Sequence, residues 1–324
     1  MAHSKTDDAT FDVVCVASWN ADLVSTLARP PARGETLMAS HFSISPGGKG
    51  SNAAVAAARQ GARVALIARI GDDDFGRMGL ALWQAEGIDS AHVERAVGEA
   101  SGVAQIWVYA DGDNSIAVCP GAGVGLGAAQ VHSARHRLEQ CRVVMASCEV
   151  PLAATLAAFT LARASGAVTV LNPAPACALP DALLALVDVL TPNETELHAL
   201  ANCGPAASLD AAAAQLLQRD VGAVLVTLGA SGCRLYRPGM DTVQLPGHHV
   251  SVIDTIGAGD CFTGTLAAAL ARGEALIDAM HAANAAAALS VTRAGAVAGM
   301  PLRAAVQAAL AGSAAVEAAG SLNS

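Results

Sequence analysis

Asp254-Thr255-Ile256-Gly257-Ala258-Gly259-Asp260 lies between an apolar run, Val250 to Ile253, and an Ala-rich run, Cys261 to Arg272. The first run predicts a strand and the second a helix, so the stretch between them reads as a strand-to-helix turn. Its small residues let backbone N–H groups converge at the helix N-terminus, where the helix dipole favours an anion. Such a loop can hold a phosphoryl group in transfer, and Asp260 beside it can take the proton from an attacking hydroxyl. Alternatively, Asp260 is a helix N-cap. The stretch alone leaves both readings open.

Outward from this turn the chain alternates strand and helix. Val13 to Ala17 is an apolar run that ends in Ser18-Trp19-Asn20-Ala21-Asp22, which puts polar groups at a strand's carboxyl end, where open α/β sheets build their sites. After an irregular stretch, Gly47-Gly48-Lys49-Gly50-Ser51-Asn52 leads into Ala53 to Gln60 as a glycine turn opening a helix, and Arg63 to Ile70 is the next strand. The unit recurs as Val143 to Ser147 before Leu152 to Ser165, Ala167 to Leu171, Val187 to Leu190 before Glu194 to Ala201, and Ala223 to Leu228. This order predicts an α/β fold with a mostly parallel central sheet and helices on both faces. Residues 35–45 and 101–119, the latter with an Asp111-Gly112-Asp113-Asn114 turn, read instead as antiparallel strands of a small β-sheet lid. Beyond Gly257 the chain is almost all Ala-rich helix, broken at Gly273 and Gly295. The expected organisation is one domain over residues 11–312, with a polar disordered tail at 1–10 and a C-terminal tail at 313–324.

Composition limits the partners. The 324 residues are 53% hydrophobic but only 3% aromatic, so the core is built from Ala, Val and Leu. A net charge of -9 with no Lys/Arg cluster excludes the electrostatic footprint of a nucleic-acid binder, and an anionic substrate has to be held locally by N–H groups and a metal ion. Eight cysteines without a C-x-x-C pair speak against a zinc or redox motif and read as buried thiols. Asn114 to Ala134, the longest uncharged stretch, carries Pro120 and four glycines, so no membrane helix is expected. The start of the chain lacks a signal-peptide pattern, and a cytoplasmic location is the expectation.

Other motifs are weaker. Lys49 does not belong to a P-loop, because Gly50 follows it and Ser43 stands where the first glycine is required. Gly121 to Gly127 has the wrong spacing for a dinucleotide fingerprint and is expected to be a loop, which disfavours a dehydrogenase. Asp72-Asp73-Asp74 reads as a strand-to-helix turn. His248-His249 falls in an expected β segment without a catalytic role. Asn20, Asp22, Lys49, Asn52 and Glu149 each follow a strand or sit in the glycine turn, so they can converge on a polyol; for Glu149 the alternative is a solvated turn charge. Asn193 and Glu196 share one face of a helix start, either reaching one hydrated cation or forming a capping box, and the two roles are compatible.

Asp254 to Asp260 resembles the signature of the ribokinase-type carbohydrate kinases, and Gly47-Gly48-Lys49-Gly50-x-Asn52 resembles their first signature. Asn20-x-Asp22, Asn172-Pro173-Ala174-Pro175 and Thr191-Pro192-Asn193-Glu194-Thr195-Glu196 follow in the family's order, and the similarity runs from about Val13 to Pro301. The resemblance implies a Rossmann-like fold with a β lid and transfer of phosphate from ATP to O5 of D-ribose. By the same resemblance Asp260 is the base, the N–H groups of Gly257, Ala258 and Gly259 form an anion hole, and Asn20, Asp22, Gly48, Lys49, Asn52 and Glu149 hold the sugar. It further implies that Asn193 and Glu196 organise Mg2+ indirectly, and that Thr227, Leu228, Gly229, Ala230, Ser231, Gly232, Gly259, Asn193 and Asn284 border the nucleotide. Asp254, Ile256, Ser290, Arg293, Gly295 and Gly299 resemble the family's K+ site, and relatives often dimerise through the lid. A sister kinase for 2-deoxyribose, a ketose or adenosine is the nearest rival. A sugar or nucleotide sensor is the rival of another class, and the intact Asp260 loop argues against it. Trp19 and Pro46 depart from relatives; Trp19 either narrows the sugar pocket or covers the core.

Overall fold

The computed structural model describes residues 11–321. In chain order the strands are β1 (Val13–Val16), β2 (Asn20–Leu27), β3 (His41–Gly47), β4 (Val64–Gly71), β5 (Asp89–Ala96), β6 (Gly102–Tyr109) and β7 (Asn114–Cys119). They continue as β8 (Val143–Ser147), β9 (Val168–Asn172), β10 (Val189–Leu190), β11 (Val224–Thr227), β12 (Cys233–Tyr236) and β13 (Val243–Leu245). Nine of them form the central sheet in the order β13-β12-β11-β10-β9-β8-β1-β4-β5. Pairing is parallel from β11 through β5, and β12 and β13 add an antiparallel edge.

Strand periodicity divides the core between the two faces. Val13 and Cys15 point into one cluster while Val14 and Val16 point into the other. The first face carries the helices Lys49–Arg59, Ala258–Ala271 and Leu276–Ser290; the second carries Leu152–Ser165, Glu194–Leu200 and Leu209–Leu217. Small side chains bring the first group close together. At Gly264 an added Cβ would stand 2.1 Å from the Ala53 carbonyl oxygen, so the helix carrying Asp260 rests directly on the helix carrying Asn52. Both neighbours of β1 are parallel, with β4 reached first and β8 later, so the strand order reverses at β1. Loops at the carboxyl ends of strands diverge at such a point and leave a crevice.

A second sheet, in the order β3-β2-β6-β7, forms the lid, with β2 antiparallel to β3 and parallel to β6. The sequence reading missed β2. Asn20 to Leu27 mixes Asp, Ser and Thr among its apolar residues, so it shows no run of the kind that marks a central strand. Asn20 and Asp22 therefore sit on the first strand of the lid rather than in a loop above the sheet. The strand expected at 35–45 begins at His41, and 101–119 forms the expected hairpin.

Other elements depart from expectation. Val250 to Ile253 is not a strand; Ile253 and Asp254 donate their N–H groups to the Val291 carbonyl at 2.8 and 3.2 Å instead of entering a ladder. His248 and His249 are likewise outside any strand, because Pro246 and Gly247 end β13. Residues Gly121–Gly125 form a 3-10 turn that leads through Gly127 into a helix at Ala128–Ser133, where a loop without a helix start was expected. The last helix, Arg303–Ser321, runs past the expected tail boundary at 313, and the tail placed at 1–10 lies outside the described residues. Among the described residues no helix is long and apolar enough to cross a membrane.

Trp19 covers the core. It is 3% exposed, meets Trp83 edge to face at 5.4 Å between ring centroids, and donates its indole N–H to the Phe75 carbonyl at 3.1 Å. Pro46 pairs with Ala21 across β2 and β3.

Candidate active site

The helix Ala258–Ala271 starts at Gly257, whose φ of 77° lies in the left-handed region. An added Cβ there would also stand 2.7 Å from Ala296 Cβ, so glycine is needed twice over. At Gly259 an added Cβ would meet nothing within 4 Å. In this first turn the Ala258 N–H donates to the Thr255 carbonyl at 3.3 Å, and Gly259 borders open space. Gly257, Ala258 and Gly259, the stretch expected to be an anion cradle, form the start of this helix.

Asp260 is in the first turn and does not cap the helix, since no side chain makes a cap hydrogen bond there. It is 4% exposed and accepts hydrogen bonds from Asn52 Nδ2 at 2.9 Å and from Asn172 Nδ2 at 3.3 Å. Burial pushes its carboxyl up to about 6, against the opposing pull of the Lys49 ammonium and the Asn52 amide, with Glu149 and Glu196 adding to the rise. Its amide partners fix the carboxylate orientation. Asn52 Oδ1 is buried without a hydrogen-bond partner, which leaves it free to accept from a hydroxyl.

The crevice at β1 is closed by one knot. Ser18, just beyond β1, donates its hydroxyl to Glu149 Oε2 at 2.7 Å; the same oxygen accepts the Lys49 N–H at 2.8 Å, and the Ser18 hydroxyl accepts the Gly50 N–H at 3.0 Å. Glu149, just beyond β8, is therefore a clamp on the glycine turn and not a solvated charge. Gly48, at φ 90°, lets the turn pass the Ser18 carbonyl, which an added Cβ would meet at 2.8 Å. Asp22 approaches Gly47 so closely that a Cβ there would stand 2.2 Å from its Oδ1. Burial raises the Asp22 carboxyl to about 6, helped by the charges of Glu149 and Asp260 and opposed by Lys49. For Lys49, burial alone would lower its basicity; the carboxylates of Asp260, Glu149, Glu196 and Asp22 outweigh burial and hold it charged. Asn20, on the same side of β2 as Asp22, packs its Oδ1 against Gly102.

Next to the Gly259 opening lies a cavity of about 430 Å³. Of the residues expected to border the nucleotide, Thr227, Gly229, Ala230, Gly232, Gly259 and Asn284 line it, whereas Asn193, Leu228 and Ser231 do not; Ala258 lines it as well. Gly232 is required here, because a Cβ would stand 2.1 Å from the Leu245 carbonyl oxygen. Asn284 donates to the Pro246 carbonyl at 2.8 Å and so fastens the loop that brings His248, His249, Val250 and Val252 to the cavity. Sequence reasoning missed this wall and also Phe262, Ala287, Ala288 and Val291. The Pro246-Gly247 breaker was the one available signal for the loop.

Asn193 and Glu196 form a reciprocal capping box: Asn193 Oδ1 accepts the Glu196 N–H at 2.8 Å, and Glu196 Oε2 accepts the Asn193 N–H at 2.9 Å. Asn193 also bridges Thr227, at the cavity. Among the described residues no group of three or more His, Cys, Asp or Glu is arranged to cage a metal. An oxygen pair with spare lone pairs suits a cation that keeps its water shell. Asp254 accepts the Ile256 N–H at 2.9 Å and the Gly295 N–H at 2.8 Å, which ties the loop before Gly257 to the loop after Ser290. The Ser290 and Arg293 carbonyls lie 2.4 and 3.5 Å from the Cβ that Gly299 lacks. The six residues expected around a monovalent cation thus form one knot beside the anion cradle.

The pfkB family carbohydrate kinase profile matches residues 10–303. The chain is 38% identical over 290 residues to the ribokinase of Haemophilus influenzae, covering 89% of this chain and 94% of that one. It is 35% identical over 261 residues to the deoxyribokinase of Salmonella typhi, covering 79% and 85%. Among solved structures, that of Arabidopsis thaliana ribokinase complexed with ribose and ATP superposes with a TM-score of 0.87 at 29% identity, over 93% of this chain and 98% of that one. A buried carboxylate at a glycine-opened helix, a polar crevice on one side and a cavity on the other, and a profile match along almost the whole chain agree: this chain belongs to the pfkB family of carbohydrate kinases.

Proposed function

We propose that the chain transfers the γ-phosphoryl group of ATP to O5 of D-ribose. The observation that carries the reading is the position of Asp260, buried between the polar crevice of Asp22, Lys49, Asn52 and Glu149 and the cavity lined by Gly259. Both the Haemophilus relative and the Arabidopsis structure are named for ribose chemistry, which supports the substrate.

In this reading Asn20, Asp22, Lys49, Asn52, Glu149 and the Gly48 backbone hold the ribose hydroxyls. Asp260 takes the O5 proton as the oxygen attacks, and the N–H groups of Gly257 to Gly259 stabilise charge on the phosphoryl in transit. The cavity between Gly229 and Asn284 takes the adenosine. Asn193 and Glu196 would hold Mg2+, which would neutralise phosphate charge, and Asp254, Ile256, Ser290, Arg293, Gly295 and Gly299 would hold K+, which would add positive charge beside the loop ahead of Gly257. The lid covers the sugar and keeps water from the phosphoryl group.

Two copies pair through their lids. Phe42 on β3 and Ile116 on β7 are 55% and 56% exposed, and both belong to edge strands whose unpaired backbone needs cover. The similarity to a deoxyribokinase supports 2-deoxyribose as the second substrate reading, on the same catalytic groups.

The test is ADP release with ribose, 2-deoxyribose, fructose and adenosine, each with Mg2+ in K+ or Na+ buffer. Ribose-dependent turnover, raised by K+ and lost in Asp260→Asn, supports the reading. Faster turnover of another acceptor replaces the substrate but keeps the mechanism. Binding of ATP or sugar without turnover overturns the kinase reading in favour of a sensor.

A further inference from the structure

Arg59 closes the helix Lys49–Arg59, at the opposite end from Lys49 and Asn52. Its side chain is 19% exposed, and its donors are divided between two sets of partners. Nη1 donates to the Val297 carbonyl at 2.6 Å and to the Met300 carbonyl at 2.9 Å. Nε and Nη2 donate to the two carboxylate oxygens of Glu86 at 3.1 and 2.6 Å, a bidentate pair. Glu86 is the C-cap of the helix Asp74–Ala85, where the negative end of the helix dipole opposes a carboxylate. Its partner there is Arg59, not the helix.

The two carbonyls belong to the segment Gly295 to Met300, which contains the short helix Ala296–Gly299. At the front of the segment Asp254 accepts the Gly295 N–H at 2.8 Å, and Ala296 Cβ lies 2.7 Å from the Cβ that Gly257 lacks. At the back an added Cβ on Gly299 would stand 2.4 Å from the Ser290 carbonyl oxygen, and Gln60 donates to the Pro301 carbonyl at 2.9 Å. Arg59 thus pins the segment at its middle and at its end.

We infer that Arg59 is a positioning residue for the monovalent cation: its guanidinium holds the segment that carries Gly295 and Gly299 in one shape, and Glu86 orients the guanidinium and balances its charge. The inference rests on the K+ assignment in the reading above. Two effects follow. Without the Arg59 donors the Val297 and Met300 carbonyls are released, the segment loosens and cation affinity falls. Without Glu86 the guanidinium, which stays protonated, is left unbalanced beside a second cation and repels it. Because Ala296 abuts Gly257, the loosening also reaches the turn ahead of Asp260, so kcat falls more than either KM rises.

The full-length protein is titrated with K+ at constant ionic strength, balanced with tetramethylammonium. Half-saturating K+ is read twice: from the rise in Tm without substrates, and from ADP release with ribose and ATP saturating. Arg59→Gln and Glu86→Gln are each expected to raise it by about tenfold or more in both readouts, the scale seen when a group that orients metal ligands is lost. Replacing a buried ion pair by apolar side chains of similar size often preserves folding, so the double variant Arg59→Met/Glu86→Leu gives the same reading should the single variants unfold. A purely structural role lowers Tm equally with and without K+ and leaves half-saturation unchanged; that result overturns the inference. An unaltered chain whose Tm does not respond to K+ overturns it as well. A rise confined to the variants that lack Arg59 keeps its role and removes that of Glu86. If the unaltered chain responds to K+ in Tm but turns over no acceptor, the kinase reading fails and the Tm titration still decides the role of Arg59.

Discussion

At the scale of single residues, the site concentrates negative charge around one cation. Asp22, Glu149, Glu196 and Asp260 all act on Lys49, and burial raises Asp22 and Asp260 to about 6. A base must be ionised to accept a proton, so kcat/KM for ribose is expected to fall as pH drops through about 6 and to be flat above it; a pH–rate profile tests this. In the proposed reading Asp260→Asn removes the base, so kcat should fall by about a thousandfold with ATP affinity retained in a binding titration. Asp22 has a separate signature in stability. Its folded-state pKa lies above the unfolded value, so the ionised form opposes folding at pH above 6, and stability is recovered as pH falls through 6 toward 4. Asp22→Asn should therefore be more stable than the unaltered chain by on the order of 2 kcal/mol at pH 7.5, with the gap closing below pH 5, measured by urea unfolding. These couplings were hidden in the sequence. Asp260, Lys49 and Asn52 stood out in the sequence as candidates because each stands in a glycine-marked turn, but the burial that sets the charge states of Asp260 and Lys49 depends on helices that meet only in the fold.

At the scale of elements, the glycines set the geometry. Gly47 lets β3 pass the Asp22 carboxylate, so Gly47→Ala should raise the KM for ribose by about tenfold or more while leaving the KM for ATP nearly unchanged. Gly257→Ala forces a side chain into left-handed backbone against Ala296 and should cost about 1–3 kcal/mol of stability, read as a lowered Tm, together with most of the activity. The parallel strands from β1 to β11 were legible because both their faces are buried, which gives continuous apolar runs such as Val13 to Ala17 and Val143 to Ser147. Strand β2 was not, because half of it faces the crevice and its polar residues break the pattern. Val250 to Ile253 misled for the converse reason. It is apolar enough for a strand, yet it walls a cavity beside Val291 with Val252 and Ile253 exposed. Hydrophobicity alone does not separate a segment that buries itself in a sheet from one that waits for a ligand.

At the scale of the whole molecule, the lid exposes Phe42 and Ile116 on its two edge strands, where the proposed pairing of two copies can be tested. Phe42→Glu or Ile116→Glu should shift the protein to monomer in sedimentation and lower the affinity for ribose; an unchanged sedimentation coefficient in both variants, or a monomeric parent, removes lid pairing from the reading. The two ends of the lid also differ in how they are held. Asp73 caps the helix Asp74–Ala85 through the Gly76 N–H, and the same carboxylate accepts the Ser101 N–H and hydroxyl at 2.7 and 2.6 Å, just where β6 begins. Asn20 packs on Gly102 at that same root. This corner is a fulcrum, and the sheet beyond it is a lever. The far end of β2 lies roughly 23 Å from Asn20 and Asp22 roughly 7 Å, at about 3.3 Å per residue. A tilt that swings the tip by roughly 4 Å displaces Asp22 by roughly 1 Å, so in the proposed reading the residues near the root would keep their register on the sugar while the far end of the sheet moved.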